Sequence, residues 1–541
     1  MRFRHALALS AALVGCGSSG DDAKKPAGFA EKDRTAEATR LLKGPDWYRH
    51  AVFYEVYVRS FQDSDGDGIG DIPGLTSRLD ELEALGVNAI WLMPIMPTPF
   101  ADSGYDVSDY QDINPDYGTL SDFDTLLKEA HDRGMRVIID LVLNHTSDQH
   151  AWFVESKKDK TNPKADWYVW SDTDSDPNIS CGPANPIFGT NPWTFVPERN
   201  QYYYHRFYAG QPDLNYRNPE VVDATLNVAR FWLDRGVDGF RCDVIGLLVE
   251  SATGCDMEPE TVDYIKKLRK VLKEYPDRAM VAESSNFDSS ASYLGNGSDM
   301  FHMAFDFAYG YFWGVLFGGT SAAPIQERFQ KVQDTYPAGG QDALVIGSHD
   351  VLRAYDMANG IESRWRRAAL IQMTMPGTPF VYYGEELALR QGKDFVVDSR
   401  DRQRTPMLWD DSAGYGFTTG TPWLAFGADA DATNLAVEQA DANSNYAYYK
   451  TLLEMRRGRE AFGTGSLEFL SSGSDSLLAY ERAGKDESYW VVLSMDESAE
   501  LSANIEKKLD RAPKLLFGDG TLTKSGDVTL PEAGAAVFRV R

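Results

Sequence analysis

Cysteine is scarce, with four residues in 541. That allows two bridges at most, so a packed core rather than a covalent framework must hold the fold. Cations are scarce too. Lys and Arg number 54 against 81 Asp and Glu, a net charge of -27. This argues against nucleic acid or an anionic membrane surface as the main partner. No apolar run reaches the roughly 20 residues that span a bilayer. There is no internal repeat, and past residue 40 no low-complexity tract. What the chain does have is 43% hydrophobic and 12% aromatic residues, enough to bury a large core. Its length exceeds one small domain and suits a large barrel with appendages.

The N-terminus reads as an export signal. Arg2 and Arg4 precede an apolar stretch from Ala6 to Val14 that ends in Leu13-Val14-Gly15-Cys16. A basic start, a short apolar segment and small residues make a secretory signal, here residues 1–15. The ending is similar to the bacterial lipoprotein signal, in which Cys16 becomes the lipidated first residue; a plain signal with an incidental Cys is the alternative. Residues 16–46 read as a flexible tether. The expectation is an exported, membrane-anchored bacterial lipoprotein, periplasmic or at the cell surface, touching membrane only through its lipid.

From residue 51 short apolar runs alternate with helix-period segments. The strand candidates are "AVFYEVYV" (51–58), "VNAIWLMPI" (87–95), "MRVIIDLVLNH" (135–145), "VDGFRCDVI" (237–245), "RAMVAES" (278–284), "MFHMAFDF" (300–307), "DALVIGSHD" (342–350) and "TPFVYYGEE" (378–386). Several intervening helices end at a Gly, as helix C-termini prefer. Eight strands alternating with helices predict an α/β fold, a (β/α)8 TIM barrel over residues 47–145 and 206–459. Residues 146–205 interrupt the rhythm after strand 3 and read as an inserted loop domain. From 460 to 541, short strands between Gly and Asp turns predict a C-terminal antiparallel β domain. Cys181 and Cys255 fall in loops on one side of this layout and are expected to pair, as export permits. Cys242 lies inside a strand and reads as a buried thiol.

Arg241 and Asp243 sit two apart in that same apolar strand, where an unpaired charge costs several kcal/mol. Barrel chemistry sits at the C-terminal ends of the strands. Asp140, Asn144 and His145 end the third strand, Glu283 the fifth, and His349 and Asp350 the seventh; Asp102 and Tyr105 follow the second. A lone strand-end Asp is usually a turn former, and Arg241–Asp243 alone reads equally as a structural ion pair. Recurrence at four strand ends points instead to acid/base work with a nucleophile.

In order, "DLVLNH" (140–145), "GFRCDVI" (239–245), "VAES" (281–284) and "GSHD" (347–350) resemble the four conserved regions of the α-amylase superfamily, glycoside hydrolase family thirteen. "QPDLN" (211–215) resembles its fifth. The resemblance spans about residues 47–541. It implies Asp243 as nucleophile, held ionised by Arg241, and Glu283 as general acid, kept protonated by burial. Asp350 stabilises the oxocarbenium-like transition state, and His145 and His349 bind the cleaved sugar. The outcome is a retaining glycosidase by double displacement.

"ADSGYD" and "RDRQRTPMLW" resemble the oligo-1,6-glucosidase and α-glucosidase branch. There Asp102, with Tyr105 beside it, and Arg404 close the pocket behind the non-reducing sugar. Val244 after the nucleophile accompanies α-1,6 cleavage in that branch. The expected partner is an α-glucan or a malto- or isomalto-oligosaccharide. "VAESSN" and a short segment between Tyr383 and Arg404 depart from the branch and keep an endo-acting α-amylase in play. A trehalose- or sucrose-type isomerase or transglycosylase shares the same catalytic set. A binding or transporter-accessory lipoprotein is disfavoured because all three acids are kept. "DSDGDGIGD" (63–71) clusters carboxylates between glycines, which suits Ca²⁺; the branch binds structural Ca²⁺ there through Asp63, Asp65, Asp67, Asp71 and the Ile69 carbonyl. Asn144 resembles a ligand of a second calcium in many α-amylases, but the branch often lacks that site, so the sequence assigns only the first. Nothing in the sequence gives an oligomeric state.

Overall fold

The computed structural model describes residues 34–183, 188–284, 287–305, 313–394, 396 and 399–541. Cys16 and the signal and tether before residue 34 lie outside them. Eight parallel strands close into a barrel: β1 (Phe53–Val56), β2 (Ala89–Leu92), β3 (Arg136–Val142), β7 (Gly239–Asp243), β8 (Ala279–Ala282), β9 (Met303–Phe305), β10 (Gln341–Val345) and β11 (Thr378–Tyr382). Each falls on one of the apolar runs read from the sequence, β10 starting one residue ahead of its run. β4 (Trp170–Ser171), β5 (Trp193–Val196) and β6 (Gln201–Tyr204) form a small sheet in the insertion between β3 and β7.

The barrel interior is filled by Phe53, Trp91, Ile138, Val281, Met303, Phe305, Val345 and Phe380. Phe53 and Phe380 stack with ring centroids 4.4 Å apart. Burying each such side chain contributes about 1.5–3 kcal/mol. The helices carry the second shell of packing. Pro219–Arg235 starts from an Asn218 cap, whose side chain accepts the Glu220 N–H, and stops at Gly236 in a left-handed turn. Its inward face buries Val221, Leu226, Ala229, Trp232 and Leu233 at the spacing of an amphipathic helix. Gly239 opens β7 at φ 152°, where a Cβ would meet the Ala279 carbonyl oxygen at 1.7 Å. Only glycine lets β7 and β8 pair here.

After the barrel a five-stranded antiparallel sheet, ordered 466–469, 477–483, 488–494, 535–539 and 514–518, packs on a three-stranded sheet of 501–504, 527–530 and 521–522. Trp490, Val492, Leu530 and Phe538 fill the space between them. The buried Arg482 of this region donates to the Thr374 carbonyl at the end of a barrel helix, and Tyr480 Oη lies 2.6 Å from Thr374 Oγ1. In the insertion, Cys181 forms a disulfide with Cys255, which follows β7, with Cα atoms 6.3 Å apart. It pins the insertion beside the strand that carries Asp243. Cys242 is a free, buried thiol, as expected.

Candidate active site

Register brings the charged residues together. β3 and β7 pair so that Asp140 faces Arg241 and Val142 faces Asp243. The β7–β8 pairing continues one step beyond the strand, with the Glu283 N–H donating to the Cys242 carbonyl at 3.1 Å. Arg241 is fully buried. Its Nη1 donates to Asp140 Oδ1 at 2.9 Å and Asp243 Oδ1 at 2.6 Å, and its Nη2 donates to Glu283 Oε2 at 2.6 Å. One planar guanidinium therefore holds the proposed nucleophile and the proposed acid on adjacent nitrogens. Retaining pairs work at about 5–5.5 Å, so the two carboxylates must lie side by side, as a shared guanidinium holds them.

Just past Asp243 the chain turns at Val244, with φ 35° and ψ 35°. A β-branched residue in the left-handed region costs on the order of 1–3 kcal/mol. The turn aims the Val244 N–H back at Glu283 Oε2, 3.0 Å away. Both donors to Glu283 converge on Oε2, so Oε1 has no hydrogen-bond partner among the described residues. The Glu283 side chain is 19% exposed, less enclosed than the sequence reading assumed.

A second cluster forms around Asp350. Its Oδ2 lies 3.1 Å from His349 Nε2, and its Oδ1 accepts from Arg400 Nη1 at 3.1 Å and Arg404 Nη2 at 3.2 Å. Arg400 Nη2 reaches on to Asp102 Oδ1 at 2.5 Å, and Gln211 Nε2 holds Asp102 Oδ2 at 3.0 Å. The sequence assignment of Arg404 is corrected here. Arg400, not Arg404, partners Asp102. Arg404 is fully buried behind Asp350, donating to the His349 carbonyl at 3.1 Å and approaching Asp401 at 3.8 Å. Three arginines lie within five residues, at 400, 402 and 404, and spacing alone could not choose among them.

Tyr105 joins the two clusters. Its hydroxyl donates to Asp140 Oδ2 at 3.0 Å and meets His349 Nε2 at 2.8 Å. His145 Nε2 lies 3.0 Å from the Tyr105 carbonyl and 3.2 Å from Gln211 Nε2. Burial pushes His145 down to about 4, so it is neutral at ordinary pH. Arg241 favours the ionised form of Asp243, as expected from the sequence, but does not set the net direction. Burial raises Asp243 well above the usual range, Arg241 opposes it, and the neighbouring Glu283 and Asp140 raise it further. Asp350 goes the other way. Burial raises it, but His349, Arg400 and Arg404 together take it well below.

Sequence reasoning gave Asp140 no role and passed over Glu55, Gln211 and Arg400. Glu55 carried the same signal as Arg241, a lone charge in an apolar strand. It is fully buried, with Oε1 2.5 Å from His349 Nδ1.

Two places have the donors for a metal. In the loop after β1, Asp63, Asp65 and Asp71 each offer an oxygen within 4.8 Å of one another. Asp67 is not in that group; its Oδ1 caps the Ile69 N–H at 2.7 Å. Three convergent carboxylates suit Ca²⁺. The second place is the Asn144 position, weighed from the sequence and not assigned. Asn144, Asp213 and Glu250 are all buried, and Asn144 Oδ1 has no hydrogen-bond partner. Asn144 Nδ2 donates to Asp213 Oδ2 at 3.1 Å. Burial raises both acids, Glu250 to about 7. An orphaned amide oxygen beside two buried acids is a cation's donor set.

A closed parallel barrel with three acids converging at the C-terminal ends of its strands defines a glycosidase. The chain belongs to the alpha-amylase family: the family profile described as "Alpha amylase, catalytic domain" matches residues 55–465. It is 36% identical over 562 residues to a probable alpha-glucosidase of Rhizobium meliloti (strain 1021), covering 93% of this chain and 99% of that one. It is 38% identical over 493 residues to the trehalose synthase/amylase TreS of Mycolicibacterium smegmatis, covering 82% of each. An oligo-1,6-glucosidase of Parageobacillus thermoglucosidasius is 31% identical over 564 residues, covering 92% of this chain and 99% of that one.

Proposed function

We propose that this enzyme is a retaining α-glucosidase that removes single glucosyl units from the ends of malto- or isomalto-oligosaccharides. The observation that carries the reading is the Arg400 bridge, which ties Asp102 to Asp350 and walls off one side of the acid cluster. A walled site accepts a chain end; an open cleft accepts a chain interior. Asp243 attacks the anomeric carbon while Glu283 protonates the departing oxygen. A covalent glycosyl-enzyme forms, and Glu283 then takes a proton from the water that releases glucose with its configuration kept. Asp350, an anion throughout, stabilises the positive charge that develops on the sugar.

A second reading has a specific support. The similarity to a trehalose synthase/amylase favours a glucosyl-enzyme that returns its glucose to the released sugar instead of to water. A product profile on maltotriose, isomaltotriose, panose, soluble starch, sucrose and trehalose separates the two. Free glucose from the short chains is expected; trehalose or a rearranged disaccharide as the main product favours transfer, and large fragments from starch favour an endo-acting amylase. Asp243→Asn is expected to lower kcat by about 10⁴-fold or more. Inversion seen by NMR, or near-normal turnover in that variant, ends the double-displacement reading.

Ca²⁺ held by the 63–71 loop, and a second held by Asn144, Asp213 and Glu250, belong to this proposal as structural ions with no part in the chemistry. So does anchoring through a lipid on Cys16, which Cys16→Ala should abolish in a membrane fractionation.

A further inference from the structure

We propose that Glu55 is a positioning residue that holds His349 as an imidazolium, so that both ring N–H groups donate and the Asp350 carboxylate is fixed toward the sugar. The hydrogen bonds around the ring point to it. Nδ1 faces Glu55 Oε1 at 2.5 Å, and Nε2 faces Tyr105 Oη at 2.8 Å and Asp350 Oδ2 at 3.1 Å. Tyr105 has one hydroxyl proton, and Asp140 Oδ2, 3.0 Å away, takes it. A neutral ring accepting that proton at Nε2 leaves Asp140 without it. It also sets a bare nitrogen lone pair against the Asp350 carboxylate. With Glu55 as the carboxylate, only a ring protonated on both nitrogens satisfies Glu55, Tyr105 and Asp350 together; a neutral ring would need its second proton carried by Glu55 instead.

The surroundings have the matching charge. Glu55 comes from β1 and Asp350 from the loop after β10. Trp91 of β2 presents its ring 5.8 Å from the imidazole, tilted by 76°. Tyr105 lies against the ring with Asp140 and Arg241 behind it, and Arg404 donates to the His349 carbonyl from the far side. Glu385 and Tyr382, just past or at the end of β11, act on Glu55 from beneath. Burial lowers His349, but Asp350 and Glu55 overcome it and raise it to about 9. Glu55 is otherwise hard to account for. It is a buried acid whose second carboxylate oxygen has no partner among the described residues, and the side-chain hydrogen bond it does make is to a ring that touches Asp350.

The test is Glu55→Gln, which keeps the shape and an acceptor for Nδ1–H but removes one of the two charges on the ring. Assayed on p-nitrophenyl α-glucoside, the alkaline limb of kcat/KM is expected to move down by about 1–3 pH units. The loss is then much greater at pH 8.5 than at pH 6. A uniform loss with the limb unmoved overturns the proposal, because a merely space-filling residue acts equally at every pH. Imidazole ¹⁵N spectra of the wild-type protein, with His349 assigned by its absence in His349→Gln, test the same claim should Glu55→Gln not fold. Both nitrogens protonated at pH 7.5 support it, and a neutral ring overturns it. This arm needs no substrate, so it stands apart from the glucosidase reading that the activity assay rests on.

Discussion

Asp243 and Asp350, proposed to act on the same sugar, sit in opposite electrostatic settings. Around Asp243 a single guanidinium serves three carboxylates, Asp140, Asp243 and Glu283. Around Asp350 an imidazole and two guanidinium groups converge on one carboxylate, each also touching a second acid, Glu55, Asp102 or Asp401. Asp243 is buried and Asp350 partly so, and desolvation raises both. The cations decide the outcome, leaving Asp243 well above the ordinary range and Asp350 well below it. On the cation-poor side, burial and the neighbouring acids push Asp243 toward its protonated form. The cation-rich side is a fixed anion. Double displacement needs a proton to give to the leaving oxygen and a negative charge to meet the oxocarbenium.

The comparison breaks most severely at Arg241. Arg241→Lys keeps the charge but not the fork that bridges two catalytic carboxylates. An expected loss of about 10²–10³-fold in kcat is checked by steady-state kinetics beside a thermal melt. Near-normal kcat means that charge alone suffices and the bridge is incidental. On the other side, Arg400→Ala removes one cation of three and frees Asp102. Hydrogen bonds to charged groups are worth about 1.5–3 kcal/mol, so kcat/KM on maltotriose should fall about 10- to 100-fold. Long chains, held by more distant contacts, should lose less. Equal losses on both point to an open cleft. Asp350 should remain an anion in this variant, because His349 and Arg404 are still beside it.

Much of this was legible in the sequence, and the misses have physical causes. All eight barrel strands stood out as apolar runs between amphipathic segments, because a strand inside a barrel is buried on both faces. Arg241, Asp243, Glu283 and Asp350 showed as charges where apolar residues were due. Glu55 carried the same sign in "FYEV" but fell outside any recognised motif. Arg400 was lost to Arg404 because partner choice among neighbouring arginines depends on how the chain enters the mouth. The direction of Asp243 was misread because a sequence shows the nearest cation and not the three acids that share it.

A third setting carries the comparison to its limit. Asp213 and Glu250 are buried acids with no salt bridge to any described residue, and an orphaned Asn144 oxygen stands beside them. If cations decide which way buried acids go, this pair needs more than Arg206 and Arg217, which lower these acids without overcoming their burial. The 63–71 loop makes a milder demand, since Asp63 already accepts the N–H groups of Asp65, Gly66 and Gly68, and Asp65 reaches solvent. Chelation should therefore lower Tm by about 2–5 °C, recovered by Ca²⁺. Asp213→Asn should remove more of that response than Asp65→Asn, because an exposed carboxylate is solvated without an ion and a buried one is not. A melting curve indifferent to both chelator and calcium would mean that these acids hold protons instead, and that the contrast between Asp243 and Asp350 ends at the catalytic mouth.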